Sequence, residues 1–191
     1  MTADGPRPGD EAGTLPAPRP GDEAGTVPPV ALIGPMAAGK SSLGRKLAAR
    51  IGRTFADTDK VVVLEHGPIP QIFAEHGEVA FRRWEAEAVR RALVPGAVVA
   101  LGGGAVLDER TRALLAHATV VLVTVDEQVV ERRLSGGGRP LVADGITAWR
   151  RVAAEREPIY RELADTVVDT SRTPMAQLVD RLEAWLAERE L

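Results

Sequence analysis

A glycine-rich segment near the start of the chain carries the clearest chemical signal. Residues 34–41 read GPMAAGKS, which fits the pattern G-x-x-x-x-G-K-[ST]. An apolar run precedes the segment and a helix-like stretch follows it, as this phosphate-binding pattern requires. The loop amides form an anion-binding nest, and the helix N-terminus adds partial positive charge. We expect Lys40 to reach the β- and γ-phosphates of a nucleotide and Ser41 to ligate Mg²⁺. The alternative is a glycine turn with an incidental lysine.

One residue of this loop departs from the usual pattern. Ala37 stands where many such loops carry glycine. Alanine is tolerated there if its φ is negative, because a Cβ crowds the backbone at positive φ. A positive φ at Ala37 would mean a slightly altered loop.

Two carboxylates follow the second short apolar run of the sequence. Asp57 and Asp59 are two residues apart, so their side chains point the same way if the strand continues. Beside a triphosphate, such a pair holds the water shell of a metal and a substrate hydroxyl. On its own, an Asp-x-Asp pair at a strand end more often belongs to a turn.

Two further segments have residues suited to a small anionic substrate. Arg82 and Glu85 are three residues apart and would be neighbours on a helix, which by itself indicates only a surface pair. The apolar residues 98–101 run into Gly102–Gly104, where missing side chains let a ligand approach the backbone. This glycine segment would lie at the carboxyl end of a strand, where α/β sheets bind their ligands.

A second glycine-rich stretch precedes an arginine. Residues 135–138 read SGGG and lead into Arg139. Such a stretch suits a lid that closes over a reaction and excludes water. An arginine supplied to a phosphoryl-transfer transition state raises the rate by roughly 10³–10⁵. The alternative is a plain flexible linker.

In this order along the chain, these segments resemble the shikimate kinase family. The resemblance covers about residues 30–172, and the conjunction is far more specific than any one segment. It rests on the phosphate loop, Asp57-Thr-Asp59, Phe81-Arg82-x-x-Glu85, Gly102–Gly104, Arg139-Pro-Leu and Arg156-x-Pro-x-Tyr160.

The resemblance implies a function and a fold. The function is ATP-dependent phosphorylation of the 3-hydroxyl of shikimate, giving shikimate 3-phosphate and ADP for aromatic amino acid biosynthesis. The implied cofactors are ATP and Mg²⁺, and the fold is α/β, a three-layer parallel β-sheet flanked by helices with a mobile lid at about 135–146. The alternatives are a kinase for another small carboxylated polyol, such as gluconate, and a nucleotide-binding module without transfer activity.

The resemblance also implies a role for each matching residue. Catalysis falls to Lys40, Asp59 and Arg139, and Mg²⁺ binding to Ser41 and Asp57. Shikimate binding falls to Asp59, Arg82, Gly103, Gly104 and Arg156, with the two arginines gripping the carboxylate. Arg133 would stack on adenine, Arg139 would close on the transferred phosphoryl group, and Arg172 would make a later nucleotide contact. The residues implied to bind ATP are Ala37, Ala38, Gly39, Lys40, Ser41, Ser42, Arg133, Arg139 and Arg172.

Strand-like and helix-like segments alternate after residue 29, which predicts a parallel sheet with helices on both faces. The predicted strands are 30–33, 53–56, 98–101, 119–125 and 166–169. The predicted helices are 41–51, 59–66, 69–76, 78–93, 108–116, 127–134, 147–163 and 174–189.

The first 28 residues have a different composition from the rest. They contain the segment RPGDEAGT twice, at 7–14 and 19–26, and are rich in proline. A segment with so little to bury cannot offset its ordering entropy, so we predict a disordered tail before a kinase domain at 29–191. A proline-rich docking site for a partner is the less favoured interpretation.

Composition narrows the remaining classes of function. The net charge of −3 comes wholly from the tail, and a folded part without basic excess argues against a nucleic-acid partner. The absence of cysteine excludes disulfides and thiolate chemistry. We find neither a signal peptide nor an apolar run of membrane-spanning length, so we expect a cytoplasmic enzyme without a membrane partner, and a monomer.

Overall fold

The sheet is built around strand β1 (Val30–Ile33), whose four residues are all buried. Because successive side chains of a strand point to opposite faces, Val30 and Leu32 enter one core cluster and Ala31 and Ile33 enter another. A helical layer covers each face. This arrangement requires β1 to be apolar throughout, as strands buried on both faces are.

The computed structural model describes residues 27–135 and 145–189. Within these ranges, five parallel strands form one sheet in the order β2-β3-β1-β4-β5. The α/β prediction of a parallel sheet between two layers of helices is therefore confirmed. The remaining strands are β2 (Phe55–Asp57), β3 (Val98–Ala100), β4 (Thr119–Thr124) and β5 (Thr166–Asp169).

Seven α-helices connect and flank these strands in the described ranges. They are α1 (Lys40–Arg50), α2 (Thr58–His66), α3 (Ile69–Ala92), α4 (Glu109–Leu115), α5 (Glu127–Ser135), α6 (Ile146–Leu163) and α7 (Met175–Arg189). Helices α1 and α7 contribute to the core cluster on one face, and α3, α4 and α6 to the cluster on the other. None of these helices has an apolar stretch sufficient to span a membrane.

Three local predictions need correction. Strand β2 covers Phe55–Asp57 instead of the predicted 53–56, because its pairing with β3 begins at Phe55 and includes Asp57 opposite Ala100. The two helices predicted at 69–76 and 78–93 form one assigned helix, interrupted where Gly77 has non-helical angles (φ 75°, ψ 173°). A short 3₁₀ helix at Ala105–Leu107 follows the glycine segment and was not predicted.

The predicted tail and lid fall largely outside the described residues. The description begins at Val27, whose carbonyl accepts a hydrogen bond from the Gly96 amide at 2.9 Å. The neighbouring Pro29 carbonyl accepts one from the Thr119 amide at 2.8 Å. Residues 1–26 and 136–144, with Arg139 among them, lie outside the described ranges.

Candidate active site

A cavity of about 810 Å³ lies beyond the carboxyl ends of β1, β2 and β3. This is the edge at which parallel α/β sheets bind ligands. The predicted residues in its lining come from six separate segments of the sequence. Those predicted to bind nucleotide, metal or substrate and found in its lining are Ala37, Gly39, Lys40, Ser41, Ser42, Asp57, Asp59, Arg82, Gly103, Gly104, Arg133 and Arg156.

The phosphate loop connects β1 to α1 and places Lys40 in this cavity. The side chain is buried, and its Nζ donates hydrogen bonds to the carbonyls of Gly34 at 2.7 Å and Pro35 at 2.8 Å. Burial lowers the pKa of Lys40 from 10.5 to about 8, although the nearby Asp59 and Asp57 carboxylates oppose the shift. The Lys40 cation therefore interacts with the carboxylates predicted to bind the substrate (Asp59) and Mg²⁺ (Asp57).

One alanine of the phosphate loop has left-handed backbone angles. Ala37 has a φ of +63°. Alanine fits without strain at negative φ, so this conformation of Ala37 is strained. A Cβ at positive φ costs roughly 1–2 kcal/mol. The neighbouring Gly34 (φ 133°) has a steric reason for its identity, because a Cβ there would lie 2.2 Å from the Val123 carbonyl oxygen.

The two aspartates sit on different elements. Asp57 ends β2, and its carboxylate caps α2 by accepting a hydrogen bond from the Lys60 amide at 3.3 Å. Asp59 lies in the first turn of α2, so the strand does not continue through both residues. Both nevertheless line the cavity. Between them, the buried hydroxyl of Thr58 accepts a hydrogen bond from the Gly102 amide at 2.9 Å, which joins the start of α2 to the glycine segment.

Arg82 is held in place by a buried carboxylate. Its Nη1 lies 2.6 Å from Glu85 Oε2, and the Glu85 side chain is only 3% exposed. Burial raises the pKa of the Glu85 carboxyl, while the charge of Arg82 opposes that rise. Glu78, one turn earlier, makes a second and more exposed ion pair with Arg82 at 3.3 Å. The pair predicted at Arg82 and Glu85 is thus part of the cavity wall and not a solvated surface pair.

The glycine segment leaves room for these charged groups. A Cβ on Gly102 would lie 2.4 Å from both Asp59 Oδ1 and Glu85 Oε1, and a Cβ on Gly104 would lie 2.2 Å from Arg82 Nη1. The Asp59 and Glu85 carboxylates therefore both lie next to the Cα atom of Gly102. A side chain at Gly102 or Gly104 would displace these charged groups, whereas a Cβ on Gly103 would meet no protein atom nearer than 3.4 Å.

Helix α6 supplies the second arginine and a buried tyrosine. Arg156 lines the cavity, and one turn later the Tyr160 hydroxyl donates a hydrogen bond to the Gly103 carbonyl. Tyr160 is 2% exposed, and burial raises the pKa of its hydroxyl. The spacing Arg156-x-Pro-x-Tyr160 thus places a cation in the cavity and anchors the glycine segment from the same helix.

Of the three arginines predicted at the nucleotide, the structure brings one to the loop. Arg133 Nη1 donates to the Ala37 carbonyl at 2.7 Å, and its Nη2 donates to the Thr170 carbonyl at 3.3 Å. The Arg172 side chain is 89% exposed, does not line the cavity and lies 3.6 Å from Asp126. The third, Arg139, lies outside the described residues.

Two residues at this site were not predicted from the sequence. The Trp149 indole Nε1 donates to the Met36 carbonyl at 3.0 Å, and the Thr170 hydroxyl donates to the Ala38 carbonyl at 2.6 Å. A signal for Trp149 existed, because it precedes Arg156 by seven residues and so lies on the same face of the helix. Thr170 directly follows β5, at the carboxyl edge of the sheet.

The fold and the site together define a class of protein. A parallel sheet, a phosphate loop between β1 and α1, and a cavity with two arginines and two aspartates characterise a P-loop kinase that acts on a small anionic substrate. A family model for shikimate kinase matches residues 36–187. The chain belongs to the shikimate kinase family.

Relatives and solved structures agree with this assignment. The chain is 45% identical to a shikimate kinase of Nitrobacter winogradskyi, covering 84% of this chain and 77% of that one. It is also 45% identical to a shikimate kinase of Streptomyces coelicolor, covering 76% and 88%. A structure of shikimate kinase from Acinetobacter baumannii in complex with shikimate has a TM-score of 0.78 at 30% identity, covering 87% and 96%. A gluconokinase from Sinorhizobium meliloti shares the fold (TM-score 0.61, 21% identity, covering 86% and 94%).

Proposed function

We propose that this protein transfers the γ-phosphoryl group of ATP to the 3-hydroxyl of shikimate, giving shikimate 3-phosphate and ADP. The observation that carries the proposal is that Arg82 and Arg156 share one cavity with the phosphate loop and Asp59. A single phosphate loop binds the nucleotide, so the two additional arginines provide for a second anion. Guanidinium groups suit a carboxylate because their planar fork donates two parallel hydrogen bonds.

The proposed substrate position follows from the neighbours of these arginines. Shikimate binds through its carboxylate to Arg82 and Arg156, with its ring against Gly103 and Gly104. Asp59 then accepts a hydrogen bond from the 3-hydroxyl and orients its oxygen toward the γ-phosphorus. As the new P–O bond forms, the bond to the β,γ-bridging oxygen breaks, and the hydroxyl proton passes to Asp59. Most of the catalysis is positioning and charge stabilisation.

Mg²⁺ is part of the proposal, and the residues present fit it. Ser41 lies in the first turn of α1 and Asp57 at the end of β2, and both line the cavity with oxygen donors, which Mg²⁺ prefers. They would hold the ion together with the phosphates, where it neutralises charge on the β- and γ-oxygens. Among the described residues no group of three or more His, Asp or Glu is placed to hold a metal.

The three arginines predicted at the nucleotide have separate roles in the proposed reaction. Arg139 acts on the transferred phosphoryl group, Arg133 stacks on adenine, and Arg172 makes a later nucleotide contact. The sequence-based expectation of a monomer is part of the same proposal. The enzyme works in the cytoplasm, where ATP is supplied.

A substrate panel tests the proposal. Release of ADP from MgATP is measured with shikimate, quinate, gluconate and nucleoside monophosphates, each against the ATPase background. We expect shikimate alone to raise the rate far above background. Equal stimulation by gluconate would favour a kinase of a different carboxylated polyol, and no stimulation by any acceptor would favour a nucleotide-binding module without transfer activity.

A further inference from the structure

Every carbonyl of the phosphate loop from Gly34 to Ala38 accepts a hydrogen bond from a side chain. Lys40 donates to the first two carbonyls, Trp149 to that of Met36, Arg133 to that of Ala37 and Thr170 to that of Ala38. The donors come from α1, α6, α5 and the residue after β5. No regular secondary structure holds this loop, so these side chains satisfy its carbonyls instead.

The bonds to Met36 and Ala38 determine where two loop amides point. In a trans peptide the C=O and the following N–H point in opposite directions, and the described chain has no cis peptide bond. Trp149, by holding the Met36 carbonyl, turns the Ala37 N–H the other way. Thr170 does the same for the Gly39 N–H. Amides of this loop bind the phosphates of a nucleotide.

Both donors are themselves fixed by packing and backbone bonds. Trp149 is 9% exposed and lines the cavity, and its Nε1 links α6 to the loop. Thr170 is 6% exposed, and its backbone amide donates to the Thr124 carbonyl at 3.0 Å, which extends the pairing of β4 and β5. A donor packed in this way holds its acceptor in one orientation before the ligand arrives, so less order is lost on binding.

The loop needs such support because of its strained residue. Ala37, with φ +63°, lies between the two carbonyls that Trp149 and Thr170 hold. A residue in a sparsely populated conformation persists only where its surroundings determine it. The Arg133 guanidinium contributes to the same support, because it donates to the carbonyls of both Ala37 and Thr170.

We propose that Trp149 and Thr170 are positioning residues for nucleotide binding, which hold the carbonyls of Met36 and Ala38 so that the amides of Ala37 and Gly39 face the phosphates. The inference rests on the proposed function only in taking the loop's ligand to be a nucleotide. Neither side chain needs to touch the substrate for this role. Their removal weakens the binding of nucleotide and leaves the affinity for shikimate unchanged.

Matched substitutions isolate the two hydrogen bonds. Trp149→Phe keeps an aromatic ring against the loop but removes the N–H. Thr170→Val keeps the shape but removes the hydroxyl, and Thr170→Ser restores it. Two controls remove the same groups elsewhere. Trp185→Phe changes a tryptophan on α7, and Thr111→Val removes a buried hydroxyl on α4 that has no hydrogen-bond partner among the described residues.

Calorimetric titration with MgADP, and separately with shikimate, is the measurement. The net contribution of one hydrogen bond changes an affinity by about three- to tenfold. We therefore expect Trp149→Phe and Thr170→Val each to raise the Kd for MgADP by that factor. Thr170→Ser should recover wild-type affinity within twofold, and both controls should match the wild type. The Kd for shikimate should stay within twofold throughout, and the KM for ATP should rise with little change in kcat.

Several outcomes would overturn the inference. They are an unchanged MgADP affinity in Trp149→Phe or Thr170→Val, a Thr170→Ser variant as weak as Thr170→Val, or a parallel loss of affinity for MgADP and shikimate. Thermal unfolding measurements show whether each variant folds. If either Trp149→Phe or Thr170→Val does not fold, the MgADP affinity of the other variant tests the inference. A wild-type chain that binds MgADP but has no shikimate-dependent turnover would refute the proposed function alone, and one without affinity for MgADP would refute both.

Discussion

The carboxylate of Asp59 is the group on which the proposed chemistry depends most. It lies beside the glycine segment, near Glu85, in the same cavity as Lys40. Replacing Asp59 with Asn keeps the shape and the hydrogen bond but removes the charge that orients the hydroxyl and takes its proton. We expect Asp59→Asn to bind MgADP normally and to lose at least tenfold in kcat, since general-base groups contribute about 10²–10⁴.

The control for this prediction is an exposed aspartate far from the cavity. Asp180 on α7 pairs with Arg50 at 2.7 Å and is 56% exposed, so Asp180→Asn should leave kcat unchanged. Steady-state kinetics with saturating ATP and shikimate provides the comparison. An Asp59→Asn enzyme with wild-type kcat would remove Asp59 from the mechanism.

Gly104 sets the position of Arg82 through the space that it leaves empty. An alanine Cβ there would lie 2.2 Å from Arg82 Nη1, so Gly104→Ala must displace the guanidinium from its place beside Glu85. We expect the KM for shikimate to rise by about tenfold or more, because a charge-assisted hydrogen bond contributes roughly 1.5–3 kcal/mol. An unchanged KM for shikimate in Gly104→Ala would contradict this placement of the arginine.

The lowered pKa of Lys40 predicts a pH limit on nucleotide binding. Burial favours the neutral amine, so the free enzyme loses the Lys40 charge as pH rises through about 8. We expect kcat/KM for ATP, which reports the free enzyme, to fall above pH 8. Arginine stays charged throughout this range, so whatever activity Lys40→Arg retains should lack this descending limb. A wild-type profile that stays flat to pH 9.5 would contradict the assignment.

Helix α3 contains a joint at Gly77, a non-helical residue where the sequence predicted the boundary between two helices. Gly77 divides the helix, and its conformation (φ 75°, ψ 173°) is essentially restricted to glycine. Trp84 after the joint stacks on His66 of α2 at 3.9 Å and meets the edge of His76 at 5.3 Å. The two halves of α3 are thus held around one indole ring, and Arg82 lies in the second half.

Substitution of this glycine should therefore destabilise the protein. Open space surrounds the position, so Gly77→Ala tests the backbone conformation alone. We expect the free energy of unfolding to fall by roughly 1–3 kcal/mol, measured by urea denaturation. Val79→Ala changes a side chain that is 86% exposed and should stay within about 0.5 kcal/mol of the wild type. A Gly77→Ala protein as stable as that control would show that the joint does not require glycine.

Sequence reasoning predicted the sheet, its helices and about half of the residues that line the cavity. It succeeded where a local rule applies, as in the apolar run of β1 and the loop before Lys40. It did not identify Trp149 and Thr170 as site residues, because the carbonyl groups that accept their hydrogen bonds lie 113 and 132 residues away along the chain. Pairs this distant are brought together by the strand order, which the local pattern does not encode.

The proposed reaction involves the whole molecule, because it needs the phosphate loop, the two arginines and Asp59 together. The most direct test is to incubate the enzyme with MgATP and shikimate and to identify the phosphorylated product by ³¹P NMR and mass spectrometry. We expect a monophosphate ester on the 3-hydroxyl of shikimate, formed in equal amount with ADP. Inorganic phosphate as the sole product beside ADP, or a phosphate on another hydroxyl, would contradict it.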